Sequence, residues 1–248
     1  MIIRKSPEEI ERIAASGRLV RSCLELLAET VRPGMTTKEL DTIAEDFIRS
    51  HDAIPTFQGY HGFPGSICAS PNDMVVHGIP GPTRLNEGDI LGLDVGVTLD
   101  GWVADAALTV AIGEITPAAR GLMEATKASL ERAILQCVAG NRVGDISHAG
   151  QSYVEPRGYA VVRSLVGHGV GRDLHEDPQI PNFGPAGRGP RLTEGMVIAI
   201  EPMITIGGHE VEVGSDQWAI YTKDGSLSAH YEHTVAITKD GPRVLTVV

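Results

Sequence analysis

Apolar residues recur at helical spacing through the first thirty positions. Ile10, Ile13, Gly17, Val20, Leu24 and Leu27 form one stripe. Ser6 stands where an N-cap belongs, Pro7 at the first helical position, and Glu9 three residues on completes a capping box. Residues 31–34, Val-Arg-Pro-Gly, end that helix. Thr36 and Glu39 open a second capping box, and Leu40, Ile43 and Phe47 make the next buried face. The pattern predicts a third helix over 116–138 and a fourth over 145–155. Strands are predicted at 89–99, 102–112, 196–206, 218–223 and 231–238. Helices interleaved with β-ribbons in this way indicate an α+β fold.

A repeat underlies the pattern. The run LNEGDILGLD at 85–94 matches LTEGMVIAIE at 192–201, an offset of 107 with an acidic residue closing both. The same offset carries Val31 onto Val138 and brings the segment around His61 near that around His168. Each half then reads helix, helix, glycine-rich segment, strand and β-ribbon. One such match could be a common turn into a strand, but several elements agree in order. The expectation is a single domain with an approximate internal two-fold, its halves at 31–115 and 138–238, and no linker between them.

Acidic residues then acquire a place. Asp100-Gly101 signals a two-residue type I′ hairpin. That turn pairs Leu99 with Trp102 and Gly96 with Asp105, and side-chain alternation puts Asp94 on the face of Gly96. Asp94 and Asp105 become diagonal neighbours, roughly 7–8 Å apart or less, with a glycine leaving room between them. Two carboxylates on a wet sheet face would need nothing further. The flanking residues are apolar on both faces, however, and a buried carboxylate without a partner is costly. Glu201 is the counterpart of Asp94 by repeat, and Glu232 occupies the place of Asp105, on the strand returning from Asp224-Gly225. Four converging carboxylates carry −4 and call for two divalent ions. Oxygen donors with one imidazole suit Mn, Fe(II), Co or Zn.

His168 and His175 lie in a segment, 167–178, too rich in glycine for a helix, which reads as a site loop. His77 ends an apolar strand at a turn. His233 points away from the Glu232 face by alternation, and His51, His148, His209 and His230 read as surface or packing residues. A lone histidine is more often a satisfied structural group than a ligand. Neither a nucleophile elbow, a phosphate loop, a dinucleotide fingerprint nor an HExxH pair is present.

Charge narrows the partners. The 248 residues carry 21 Lys and Arg against 32 Asp and Glu, a formal net charge of −11. Such a chain has no electrostatic footprint for nucleic acid or for anionic lipid. No run of eighteen apolar residues suggests a membrane span, and the charged first thirty residues lack a signal-peptide block. Three widely spaced cysteines, Cys23, Cys68 and Cys137, suggest free thiols in a reducing cytosol.

The blocks Cys68-Ala-Ser-Pro-Asn72, Val-His77-Gly-Ile-Pro80, Asp94 with Asp105, Gly-His168-Gly-x-Gly, His175-Glu-x-Pro, Ile-Glu201-Pro-Met and Tyr-Glu232-His-Thr resemble, in order and spacing over essentially the whole chain, methionine aminopeptidase of the first type. The resemblance implies the pita-bread α+β fold and a dinuclear metal centre. By position, Asp105 and Glu232 would bridge two ions, Asp94 would ligate one, and His168 and Glu201 the other. A metal-bridging water would attack the first peptide bond with Glu201 as general base, His175 would hydrogen-bond the carbonyl oxygen, and His77 would contact the scissile amide or the next carbonyl. Tyr60, His61, Phe63, Cys68 and Trp218 correspond to the methionine pocket. A simple hairpin register pairs Trp218 with Tyr231, so a bulge or longer turn is needed to bring Trp218 there. Asn72, Met74 and Ser228 match a backbone site for a monovalent cation. Three positions depart from the family: Leu174 for Phe, Phe57 for a small residue, and Ala106 for Thr. Gly65 replaces a residue that can be basic in relatives, which leaves the ribosome only a weakly indicated partner.

These features together predict a monomeric cytoplasmic enzyme that removes the initiator methionine from nascent chains with a small second residue. A relative acting before proline is disfavoured by the missing N-terminal domain. A non-catalytic scaffold relative is disfavoured because all five metal ligands are present.

Overall fold

Capping sets the helices. In α1 (Pro7–Thr30), Ser6 Oγ accepts the Glu9 N–H (3.3 Å) while the Glu9 carboxylate accepts the Ser6 N–H (2.8 Å). The same reciprocal pair, Thr36 and Glu39, opens α2 (Thr37–Ser50). After them come β1 (Ile54–Pro55), a short 3-10 turn at Tyr60–Gly62, β2 (Ile67–Pro71), β3 (Met74–Val76), β4 (Ile90–Leu99) and β5 (Trp102–Ala111). Then follow α3 (Pro117–Ile134), α4 (Val143–Val154), β6 (Ala160–Val161), β7 (Val166–Gly169), β8 (Glu176–Pro181), β9 (Val197–Ile200) and β10 (Met203–Thr205). The chain ends through β11 (Val211–Val213), β12 (Ile220–Thr222), β13 (Ser228–His230), β14 (His233–Thr238) and β15 (Gly241–Val244). This computed structural model describes residues 1–247.

All strand pairings are antiparallel. β4 carries β5 on one edge and β1 and β2 on the other; the second large sheet runs β15-β14-β9-β7-β8. β5 joins them: Ala107 and Glu232 exchange backbone hydrogen bonds of 3.4 and 2.9 Å, and Thr234 Oγ1 lies within 3.2 Å of the Asp105 N–H. Helix α1 packs on β4 and β5, α3 on β9, β10 and β13, and α4 on β8. Leu91, Leu93, Val95 and Val97 of β4 lie in one cluster with Ile13, Val20, Leu24 and Leu27 of α1. Alternation then turns Asp94 and Gly96 to the face away from the helix.

The repeat reappears in the hydrogen bonds, offset by 106 residues at one partner and 107 at the other. Isolated bridges join Thr36 to Arg84 and Arg142 to Arg191. Gly34 donates to the Leu85 carbonyl as Gly140 does to that of Leu192, at 2.7 and 2.9 Å.

Some elements differ from the sequence expectation. The third helix stops at Ile134, where the amides of Gln136 and Cys137 turn to carbonyls three residues back. The fourth starts earlier, at Val143, because Asp145 is its N3 acid and caps the Arg142 N–H at 2.7 Å. Strand 196–206 is split at Glu201-Pro202, where proline removes a ladder donor. Opposite that gap the last strand is split too, at Tyr231-Glu232, since Glu232 pairs sideways with Ala107. Segment 167–178, read as a loop, is strand at both ends. The Asp224-Gly225 turn forms no simple hairpin: β12 pairs with β3 and β11, and β13 with β10.

Candidate metal centre

The Asp100-Gly101 turn has both residues at positive φ, 51° and 74°, as a type I′ turn requires. Its register pairs Leu99 with Trp102 and Gly96 with Asp105. Asp94 and Asp105 therefore rise from one face of the β4–β5 ribbon. Glu201 and Glu232 enter from the paired breaks in the second sheet, and His168 from β7. All five line one cavity of about 140 Å³, together with His77, His175, Phe57, Tyr60, Phe63, Cys68, Leu174 and Trp218.

Within it, one ligand atom each from Asp105, His168 and Glu232 lie within 4.8 Å of one another. His168 Nε2 is 3.4 Å from Asp105 Oδ2 and 3.6 Å from Glu201 Oε1. Its Nδ1 donates to the Gly169 carbonyl at 2.9 Å, which turns the Nε2 lone pair toward the acids. The Thr234 hydroxyl, 3.0 Å from Asp105 Oδ1, holds that carboxylate in place. Asp94 Oδ1 is buried without a hydrogen-bond partner.

Burial raises the pKa of Asp94, Asp105, Glu201 and Glu232, and the acids of the cluster raise those of Asp94, Glu201 and Glu232 further. Neither Lys nor Arg lines the cavity among the described residues. Four clustered carboxylates, two buried and two half-buried, facing an imidazole lone pair, with one oxygen orphaned, fit divalent cations and suit little else. A larger groove of about 620 Å³ on the α4–β8 side has Asp177, Arg188 and the Met1 ammonium as its charged lining and offers no such cluster of acids.

Beside the acids the wall is soft and apolar. Phe63 and Trp218 meet edge to face at 5.1 Å. Trp218 precedes β12, which pairs with β3, so it reaches the cavity without the hairpin register. The gap above Gly96 serves Phe57: a Cβ on Gly96 would lie 2.6 Å from the Phe57 ring, so glycine there admits the aromatic wall rather than merely separating the two acids. Tyr60 Oη lies 2.6 Å from His175 Nδ1. Burial, with His168, His77 and His61 nearby, brings the His175 pKa down to about 4, so its ring is neutral near pH 7. His77 sits at φ 60°, where Gly78 is pressed against the Ala69 carbonyl. Cys68 is a buried thiol whose pKa burial and Asp94 push up, which argues against a nucleophile.

Two groups of expected site residues lie apart. His61 is outside the cavity lining and packs edge to face on Tyr60 at 4.4 Å. Asn72, Met74 and Ser228 gather at the β2–β3 turn, where the Ser228 N–H donates to the Asn72 carbonyl (2.9 Å) and Ser228 Oγ is buried without a partner.

The chain matches the family model described as Metallopeptidase family M24 over residues 11–239. The methionine aminopeptidase of Clostridium acetobutylicum is 52% identical over 248 residues, spanning 100% of this chain and 99% of that one. The chain belongs to the methionine aminopeptidases of metallopeptidase family M24. Methionine aminopeptidase 1 of Bacillus subtilis is 49% identical over the whole of both chains. The crystal structure of methionine aminopeptidase from Thermotoga maritima superposes with a TM-score of 0.98 at 42% identity, covering both chains completely. The architecture is thus the family's pita-bread fold. Phe57 and Leu174, two of the positions expected to depart from the family pattern, are both cavity walls.

Sequence reasoning missed His230. It is 3% exposed, and its Nε2 stands 3.9 Å from Glu201 Oε2. Alternation offered the signal, since His230 and Glu232 are two residues apart. His233, one step out of phase, bonds Thr246 through Nδ1 at 2.8 Å. Burial, helped by Arg21 and Lys127, lowers its pKa to about 4. The unfolded chain then binds more protons than the native one between about pH 4 and the ordinary histidine value of about 6.5. Stability should fall as pH drops through that window, by about 3 kcal/mol for this group. His233→Gln should flatten the slope in urea melts at pH 4.5–6.5, and an unchanged slope would refute the assignment.

Proposed function

We propose that this chain hydrolyses the first peptide bond of polypeptides that begin with methionine and carry a small second residue. One catalytic domain would do so, its halves at about 31–115 and 138–238, using two divalent ions. Asp94, Asp105, His168, Glu201 and Glu232 would hold them. The observation that carries this reading is the juxtaposition of four acids, Asp105 and Glu232 buried and Asp94 and Glu201 half-buried, with a soft apolar pocket.

Bound ions would supply Lewis acidity and make water a nucleophile at neutral pH. The side chains then divide the remaining work. Phe63, Trp218, Cys68, Tyr60 and Phe57 would enclose the methionine side chain, whose thioether suits polarizable aromatic walls. Glu201, at the edge of the acids, would take the proton from the attacking water. His175 is neutral, and a Tyr60 hydroxyl donating to its Nδ1 leaves Nε2–H free to stabilise the developing oxyanion. His77 would hold the scissile amide or the next carbonyl. Asn72, Met74 and Ser228 would hold a monovalent cation, to which the orphaned Ser228 hydroxyl lends support. The natural substrate would be a nascent polypeptide in the cytoplasm. Among the described residues no helix is long and apolar enough to cross a membrane.

Calorimetric titration of metal-free protein with Mn(II) or Co(II) should end near two ions per chain. At a hundredfold excess over Kd, each bound ion should add about 2.7 kcal/mol of stability, seen as a raised melting temperature that a chelator reverses. A titration showing no binding would end this reading.

A further inference from the structure

His230 has an anchored backbone and an unsatisfied ring. Its N–H donates to Thr109 Oγ1 at 3.0 Å, and its carbonyl accepts from the same hydroxyl at 2.8 Å. In the ladder it pairs with Met203 of β10, immediately beyond the Glu201-Pro202 break. The ring is therefore fixed beside Glu201. Its Nε2 is buried and has no hydrogen-bond partner, with Glu201 Oε2 3.9 Å away. A buried polar nitrogen left unpaired costs about 1–3 kcal/mol, so its persistence at the edge of a site needs a reason.

The Glu201 carboxylate lies between two imidazoles. Oε1 faces His168 at 3.6 Å and Oε2 faces His230 at 3.9 Å. The two rings cannot serve it in the same way. His168 presents a lone pair, because its Nδ1 proton is committed to Gly169. His230 has no such commitment at Nε2.

We propose that His230 is a positioning residue for Glu201: its Nε2–H donates to Oε2 and keeps Oε1 on the His168 side. This rests on the metal-dependent reading above and deepens it. A carboxylate that must both ligate and accept a proton benefits from one oxygen being tied, because it then cannot swing to chelate through both. A shift of about 1 Å closes the pair to ordinary hydrogen-bond length, and groups of this kind often tighten only when a site is loaded.

Metal-free wild-type protein, His230→Leu and His230→Gln are titrated calorimetrically with Mn(II). The Leu variant keeps bulk but has no donor; the Gln variant keeps an N–H. Loss of an outer partner typically weakens metal binding 10–100-fold. The Leu variant should show that loss, and the Gln variant should bind within a few-fold of wild type. At saturating metal the Leu variant should lower kcat on a Met-Ala-Ser peptide with KM little changed, because His230 does not line the pocket. Wild-type affinity in the Leu variant overturns the proposal. Equal loss in both variants, with unchanged circular dichroism, overturns it in favour of direct ligation by the imidazole. A wild-type chain that binds no metal would instead remove the underlying function.

Discussion

Glu201→Gln should release methionine from a Met-Ala-Ser peptide at least about 100-fold more slowly than the wild type, the lower end of what a positioned general base contributes. The side chain emerges where Pro202 interrupts the ladder, so the backbone offers its carboxylate to the cavity rather than to a neighbouring strand. Glutamine keeps one oxygen in the same place but cannot accept the proton of the attacking water. The loss should fall on kcat and on kcat/KM alike, because Phe63, Cys68 and Trp218 are untouched and still bind the methionine side chain. A second effect has the opposite sign. Without ions, Glu201 is held up in pKa by burial and by Asp105 and Asp94. A neutral amide relieves that repulsion, so the metal-free variant should melt higher than the metal-free wild type. Full turnover by Glu201→Gln in saturating metal would refute its role as the base.

What the sequence disclosed was local or periodic. The Asp100-Gly101 turn fixes a ten-residue register by itself, because both positive φ values are cheap for that pair. The offset of 107 is visible because the turn before β4 and that before β9 use the same residues, and β9 starts 107 positions after β4. Alternation assigned faces to Asp94 and His233 correctly. Contacts between distant segments were hidden. Nothing near Gly96 announces that Phe57, thirty-nine positions earlier, fills the space above it. The breaks at Glu201 and Glu232 depend on β5 offering Ala107 to one strand of the other sheet. His230 was set aside because a lone histidine is more often a satisfied structural group than a ligand, and only the tertiary pairing places it against Glu201.

One distant pair should have the largest effect on stability. Lys5 Nζ and Glu176 Oε2 are 2.6 Å apart with side chains 2% and 5% exposed. The other carboxylate oxygen accepts the backbone N–H groups of Arg172 and Asp173 at 2.9 and 3.4 Å. Gly171 lies against both partners; a Cβ there would be 2.6 Å from each. The loop before His175 is thus wound around an ion pair whose lysine comes from the N-terminal segment, itself tied to Gly195 through the Lys5 N–H. Lys5→Met leaves a dry, unpaired carboxylate, at a cost of about 3–5 kcal/mol. For a chain of this size that lowers the melting temperature by about 10 °C. Adding Glu176→Gln removes the stranded charge and should recover most of the loss, since an uncharged pair of similar volume is often tolerated. Scanning calorimetry of the single and double variants decides the matter: a Lys5→Met protein melting within a degree of wild type would mean that Glu176 has found water. If the loss is seen, His175 should feel it too. Its place opposite Tyr60 depends on the same loop, so kcat should fall in Lys5→Met while the ligands on β5 and β7 still bind metal.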